Sequence, residues 1–200
     1  MKLVKYVLAL ACAWGAWSWY STRPLSDIPP GVVAPAEPAQ TNTSAPAFQY
    51  QGFTITPSAR FDMRARVLAR KDYRLDAEAE LSPTDLVFGW GQMSDPRIYQ
   101  QLSISQSNRF YFWRYEDAPP IAPEQIIRSS ANMHLIPANE AVKAALKKVR
   151  PGQLIQLSGQ LINVSKPSGW QWVSSLTRED SGAGACEVIW VEQLAPVALP

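Results

Sequence analysis

Two residues of this chain, Cys186 and His134, have side chains that together can perform nucleophilic chemistry. His134 is the only histidine, and Cys186 is the only cysteine besides Cys12 near the N-terminus. A thiolate paired with an imidazole is an effective nucleophile, and Asn132 or Asp180 could orient the ring. Cys186 nevertheless opens an apolar run, whereas a reactive cysteine usually lies at an electropositive position. A small Cys/His hydrolase or transferase is therefore one hypothesis, and a buried cysteine near a hydrogen-bonded histidine is the favoured interpretation.

Metal and phosphate sites have weaker support in the sequence. One histidine, one cysteine in the folded region and scattered carboxylates lack the paired spacing of a zinc site, so we predict no metal and no cofactor. The Gly-Ala-Gly segment at 182–184 follows Arg178, and it could form a backbone anion nest with Arg178 as a ligand-binding residue. Glycine-rich phosphate loops normally lead into a helix, and this one leads into a strand. A tight hairpin turn is therefore favoured there.

Aromatic side chains provide the better binding hypothesis. Tyr111, Trp113 and Tyr115 alternate along one predicted strand, and Trp170 and Trp172 lie on another. Such rings could stack against a sugar, a peptide or a single-stranded nucleic acid, or they could simply pack in the core. The chain has 19 Lys and Arg residues against 17 Asp and Glu, so its net charge gives no reason to expect nucleic-acid binding. We expect a protein or glycan partner.

The first twenty residues predict an export or anchoring segment. Lys2 and Lys5 precede an uncharged run from Tyr6 to Tyr20, which ends in a cluster of aromatic residues. Basic residues before an apolar run and aromatic residues at its far end are typical of a single membrane span. The favoured interpretation is an anchor at 3–20 in a bacterial inner membrane, with the remainder in the periplasm. A cleaved signal peptide, with small residues at 11–13, and a lipoprotein signal at the cysteine within them remain alternatives.

Composition divides the chain into three parts. Residues 1–20 form the predicted anchor, residues 21–47 a Pro/Ala-rich linker, and residues 48–200 a globular domain. The linker has six prolines and few groups able to build a core, so it predicts an extended tether. The domain is long enough for a single hydrophobic core. With one cysteine it cannot form an internal disulfide, so its stability must come from burial.

The predicted domain is β-rich. Apolar and charged residues alternate over 59–69, as in a half-buried strand. A hairpin just after this strand would set Arg66 opposite Glu80 and Arg70 opposite Asp76. Those charges would then form a solvated sheet face.

Capping residues predict short helices between the strands. The helices are expected over 83–88 after Ser82, over 97–102 after Ser94 or Asp95, and over 141–149 after Asn139. Further strands are expected at 53–55, 109–115, 154–164, 170–176 and 186–191. Gly159 inside a strand indicates a bulge or a sharp bend. We therefore predict an α+β fold built on a small, strongly bent β-barrel of the oligonucleotide/oligosaccharide-binding or SH3 type.

Three longer motifs carry a family resemblance. They are GWGQMSD at 89–95, SANMHLIP at 130–137 and SSLTREDSGAGACE at 174–187. With these motifs the chain resembles a family of uncharacterised bacterial proteins, often membrane-anchored or exported, over most of residues 59–192. The resemblance implies a bacterial origin and similar domain boundaries. It implies no activity, so the favoured function is a non-enzymatic extracytoplasmic module that binds a protein or an envelope component.

Overall fold

The structure is a computed structural model that describes residues 5–7, 10, 12–15, 23–76, 78–177 and 186–198. Within these ranges no helix is both long enough and apolar enough to cross a membrane. The anchor predicted at 3–20 lies largely outside the described residues. Arg178, Asp180 and the glycine-rich segment 182–184 also lie outside them.

The described part of the domain is β-rich with a few short helices, as predicted. The strands are β1 (Ala39–Asn42), β2 (Phe48–Tyr50), β3 (Phe53–Asp72), β4 (Thr84–Gly89), β5 (Ser103–Ser107), β6 (Phe110–Arg114), β7 (Ser130–Pro137), β8 (Leu154–Ser165), β9 (Gln171–Val173) and β10 (Glu187–Pro196). The helical elements after β4 are a 3-10 turn (Gly91–Ser94), α1 (Pro96–Tyr99), α2 (Pro123–Arg128) and α3 (Glu140–Leu146).

Five strands form a closed ring in the order β3, β4, β7, β10 and β8, and β8 pairs again with β3. The length of β3, 20 residues, allows its first part to pair with β8 and its last part with β4. The pairing of β7 with β10 is parallel, and it sets His134 beside Val188. The other pairs in the ring are antiparallel.

The interior of the ring is apolar, and the outer face of β4 and β7 carries polar side chains as well as apolar ones. Leu86, Phe88, Met133 and Leu135 belong to the main core cluster. Because side chains alternate along a strand, Asp85, Asn132 and His134 lie on the opposite face of these strands. That face is also buried, since the β5–β6 hairpin packs against it through Tyr111, Trp113 and Ile104 around Val87.

The predicted helix after Ser82 is wrong. Residues Thr84–Gly89 form β4, which pairs with β3 on one side and β7 on the other and is buried throughout. Burial of alternating apolar side chains on both sides of a central strand outweighs the local helix-start signal of the Ser-Pro-Thr-Asp sequence. This correction places Asp85 in a sheet, directly opposite His134.

The predicted register after β3 is also wrong. Arg66 pairs with Gly89 and Arg70 with Leu86, because the partner of β3 is β4 and not residues 76–80. A bulge between Val67 and Ala69 shifts the register. Arg66 is fully buried instead of solvated, and its guanidinium donates to the Ser94 and Gly152 carbonyls at 2.8 and 2.7 Å.

Two predicted helix caps and one predicted irregularity agree with the structure. Asp95 accepts from the Arg97 amide at the start of α1, although this helix is shorter than predicted. Asn139 accepts from the Val142 amide at 2.9 Å at the start of α3. At Gly159 a Cβ atom would lie 2.0 Å from the Trp190 carbonyl oxygen, so the glycine permits close approach of β8 and β10.

Part of the predicted linker packs on the ring. Val33 and Ala34 are buried, and both of their amides donate to the Ser94 hydroxyl at 3.1 and 3.2 Å. Further along, β1 pairs with β3. The described residues between 23 and 47 therefore make contacts that a free tether would lack.

Candidate functional site

Arg109 is the centre of a charged network on the outer face of the ring. It lies in the β5–β6 turn with a positive φ of 69°. Its Nη1 atom is 2.7 Å from Asp85 Oδ1 and also donates to the Ser82 carbonyl at 3.0 Å. Its Nη2 atom is 2.6 Å from Asp76 Oδ1. The turn thereby brings a guanidinium to two carboxylates that belong to the loop after β3 and to β4.

Asp85 also contacts His134. The β4–β7 pairing sets the two residues opposite each other, and His134 Nδ1 lies 2.9 Å from Asp85 Oδ2. Neither atom has a hydrogen-bond partner, so this contact is an ion pair between the protonated imidazole and the carboxylate. Both side chains are buried. Burial opposes protonation, but Asp85 and the sulfur of Cys186 outweigh it and raise the pKa of His134 to about 9.

Cys186 completes this row of side chains. It precedes β10, which runs parallel to β7, and its sulfur is one of the groups that raise the pKa of His134. Its Sγ atom also lies 3.8 Å from the Arg109 carbonyl oxygen, to which the thiol donates. Cys186 as a whole residue is partly exposed. The two residues that the sequence selects for chemistry are therefore brought together, with Asp85 behind the imidazole.

Asn132 fixes the hairpin over this cluster. Its Nδ2 donates to the Arg109 carbonyl at 2.9 Å, and its Oδ1 accepts from Gln106 Nε2 at 2.8 Å. Asn132 thus bonds to β5 and to the β5–β6 turn, while Asp85 supplies the carboxylate beside His134. The sequence suggests that Asn132 orients the imidazole ring. In the structure Asp85, and not Asn132, contacts that ring.

Aromatic rings cover the cluster on its solvent side. The Trp172 ring lies over the His134 ring with centroids 4.7 Å apart. Arg109 Cζ lies 3.9 Å from the Tyr73 ring centre and 5.8 Å from that of Trp172. Trp170 is the next ring, 6.3 Å from Trp172. The guanidinium is therefore flanked by two aromatic residues that remain partly exposed.

An open cleft of about 830 Å³ adjoins these rings. It is lined by Asp72, Tyr73, Arg74, Leu75, Asp76, Glu78, Asn108, Arg109 and Trp172. Three carboxylates face two guanidinium groups in this set. Because the donors of Arg109 point at protein acceptors, the cleft offers no excess positive charge to a ligand.

The aromatic residues of β6 have a different role from Trp172. Tyr111 donates to or accepts from the Ser130 hydroxyl at 2.6 Å, and burial raises the pKa of its phenol to about 12. Trp113 packs in the same cluster. Tyr115 is exposed and stacks on Trp113 with centroids 6.3 Å apart. These three predicted ligand-binding residues do not line the cleft.

Sequence reasoning missed Asp85, Arg109, Tyr73 and Asp76. The sequence predicts a helix that includes Asp85 and a strand that begins at Arg109. The available signal for Asp85 is a charged residue directly before the apolar run 86–88. No local signal marks Arg109, because its partners lie 24 and 33 positions away in the chain.

The described residues include no group of three or more His, Cys, Asp or Glu side chains arranged to hold a metal ion. Comparison of the chain with protein-family models, with curated proteins and with solved structures gave no match in any of the three.

Proposed function

We propose that the chain is a non-enzymatic extracytoplasmic module, tethered to the bacterial inner membrane by its N-terminal segment, that binds an envelope component. The ligand we propose is a glycan or peptide segment, held in the cleft between the loop after β3, the β5–β6 turn and β9. The observation that carries this proposal is the open cleft with Tyr73 and Trp172 on either side of Arg109.

We further propose that the ring is a barrel of the oligonucleotide/oligosaccharide-binding type. In chain order, its strands are β3, β4, β7, β8 and β10, and around the ring the fifth strand lies between the third and the fourth. The third and fifth strands are parallel, and α3 connects the third to the fourth. Barrels of this type bind ligands at the loops between strands one and two and between strands four and five. Residues of both of these connecting segments line the cleft.

The charge of the cleft favours neutral or basic ligands. Asp72 accepts from Arg70, and Asp76 accepts from Arg109, so both carboxylates already have partners. The charges of Arg74 and Glu78, which also line the cleft, offset each other. Stacking of a sugar ring or a peptide group on the aromatic rings needs no anionic group on the ligand. A phosphate backbone, by contrast, needs positive charge at its site.

Calorimetry with a soluble glycan–peptide fragment of the bacterial cell wall tests the proposal. Leu75 lines the cleft and is 99% exposed, so Leu75→Asp alters the cleft without removing core packing. We expect the full chain to bind the fragment and Leu75→Asp to weaken binding by about tenfold, which corresponds to about 1.4 kcal/mol. Ile127→Asp is the matched control, because Ile127 is an exposed apolar residue that does not line the cleft. Absence of binding, or equal loss in both variants, would contradict the proposal.

A further inference from the structure

We propose that a basic surface at the end of α3 contacts the anionic phospholipid headgroups of the membrane that holds the anchor. The basic surface consists of Arg23, Lys147, Lys148 and Arg150. This contact rests on the proposed function, because it requires the anchor at 3–20. It goes beyond tethering, since it states which face of the ring lies against the bilayer.

The chain that leaves the predicted anchor joins the ring at a fixed point. The Leu25 amide donates to the Pro151 carbonyl at 2.9 Å, and Arg150 Nε donates to the Arg23 carbonyl at 2.8 Å. Gly152, with a φ of 91°, permits this close approach, because a Cβ atom there would lie 3.1 Å from Leu25 Cβ. Residues 23–25 are therefore held against the turn that follows α3.

Little chain separates this entry point from the predicted anchor. Arg23 follows the last anchor position, residue 20, by three positions. An extended chain spans at most about 3.6 Å per residue, so the Arg23 Cα lies within about 11 Å of the end of the anchor. A free linker over 21–47 would instead have an end-to-end distance of about 30 Å. The turn after α3 is thus kept close to the headgroup layer.

The residues of this turn are basic. Lys147 and Lys148 are exposed at the C-terminal end of α3, and the Lys148 amide donates to the Ala145 carbonyl at 2.9 Å. Arg150 follows directly after Val149. Residues 141–151 include four basic residues and no acidic one, whereas the whole chain has 19 basic and 17 acidic residues. Positive charge is therefore concentrated at the point where the chain enters.

Carboxylates near α3 neutralise little of this charge, because other basic residues already pair with them. Glu140 lies 3.1 Å from Lys143 Nζ at the start of the helix. Asp72 lies 2.8 Å from Arg70, whose Nη1 donates to carbonyls at the end of the helix. Asp27 adds one exposed carboxylate to the entry segment. The four residues of the basic surface therefore leave a positive surplus.

Anionic headgroups fit this surface in chemistry and in position. Phosphate oxygens accept charge-assisted hydrogen bonds from ammonium and guanidinium groups. The attraction falls off within a Debye length, about 8 Å at physiological ionic strength, so it acts only on groups held near the bilayer. The anchor holds the basic surface there and gives the headgroups a high effective concentration. The membrane is therefore favoured over a soluble polyanion as the partner.

The test uses the full chain in lipid nanodiscs made of phosphatidylcholine alone or of an equal mixture with phosphatidylglycerol. Acetylation by an N-hydroxysuccinimide ester, followed by mass spectrometry, gives the rate at each lysine. We expect Lys147 and Lys148 to react about fivefold more slowly in the anionic discs, which corresponds to about 1 kcal/mol for a basic residue at an anionic surface. Lys166, at the opposite end of the 12-residue strand β8, should react equally in both discs.

Charge and salt separate headgroup contact from burial within the protein. Lys147→Glu should bring the rate at Lys148 in anionic discs back toward its value in neutral discs. Lys166→Glu, the matched control with the same change of charge, should leave the rate at Lys148 unchanged. Salt at about 1 M shortens the Debye length to about 3 Å and should remove the protection.

Equal rates at Lys147 and Lys148 in the two kinds of disc would overturn the proposal while leaving the anchor in place. Equal slowing of Lys166 would also overturn it, because the effect would then belong to the anionic disc as a whole. A chain that does not stay in the discs would refute the anchor of the proposed function and this contact with it. None of these results bears on binding in the cleft, which the Leu75→Asp comparison measures separately.

Discussion

At the residue scale, His134 links the stability of the fold to pH. Its pKa in the folded state is raised to about 9 from an ordinary value of 6.5, chiefly by Asp85 acting against burial. A raised pKa stabilises the fold fully below the unfolded value, and the benefit is lost as pH rises through the folded value. The relevant window therefore runs from about pH 6.5 to about pH 9.

We predict that the free energy of unfolding falls across this window by up to about 3 kcal/mol, given 1.36 kcal/mol for each pKa unit. His134→Gln should remove this fall, because glutamine has no proton to lose. Urea unfolding of both proteins at pH 6 and pH 9 measures the difference. A parallel pH response in the two proteins would show that His134 is not the group responsible.

Arg66 is a second residue whose charged side chain contributes to the stability of the fold. Its guanidinium bonds the carbonyls of Ser94 and Gly152 inside the fold, and burial lowers its pKa although Tyr99 and Asp95 favour the charge. We predict that Arg66→Ala costs about 2–5 kcal/mol, because two buried acceptors lose their donor. Arg64→Ala is the matched control, since Arg64 is exposed on the same strand and should change stability by about 0.5 kcal/mol or less. Similar melting temperatures for the two variants would count against this role.

At the element scale, the close approach of β8 and β10 depends on Gly159. A Cβ at this position would meet backbone and not a flexible side chain, with the Trp190 carbonyl oxygen at 2.0 Å. We predict that Gly159→Ala separates the two strands and costs about 3 kcal/mol or more. Ser158→Ala, one position away and only partly buried, provides the comparison. Thermal melting followed by circular dichroism measures both, and an unchanged Gly159→Ala midpoint would be inconsistent with this packing.

The elements show what local sequence can and cannot predict. The alternation over 59–65 and the Asn139 cap of α3 depend on near neighbours, and both match the structure. The sequence predicts a helix over 83–88, but Thr84–Gly89 is a strand because β3 and β7 pair with it on either side. The register of β3 also depends on these distant partners.

In the candidate site, too, some features can be predicted from the sequence and others depend on distant parts of the fold. His134 and Cys186 are rare residue types, so composition alone selects them. Their proximity depends on the parallel pairing of β7 with β10, which no local pattern reveals. Asp85 and Arg109 are common types whose importance comes only from the partners that the fold gives them. Composition therefore singles out His134 and Cys186, and the fold determines which residues contact them.

At the scale of the whole molecule, the ring and the segment before it form one packed unit. Val33 and Ala34 are buried, Gly91 donates to the Ala34 carbonyl at 2.8 Å, and β1 extends the sheet at β3. The domain boundary predicted from the sequence lies between residues 47 and 48. A domain that began there would lack these contacts. A chain of residues 48–200 would therefore expose core surface that residues 23–47 cover.

We predict that residues 23–200 melt at a temperature several degrees above that of residues 48–200, since about 1 kcal/mol shifts the midpoint of a domain of this size by about 2–4 °C. Both chains should still unfold cooperatively, because the five strands of the ring lie after residue 48. Calorimetric scans of the two purified chains measure this. Identical midpoints would mean that the contacts of residues 23–47 add nothing to stability.

We propose that the molecule binds its ligand in the cleft beside Tyr73, Arg109 and Trp172. The most direct measurement is the amide NMR spectrum of the full chain during titration with the glycan–peptide fragment. We expect saturable shifts concentrated at the residues that line the cleft, which are 72–76, 78, 108–109 and 172. Shifts confined to other surfaces, such as the exposed face of β6 at Phe112, or no shifts at all, would contradict it.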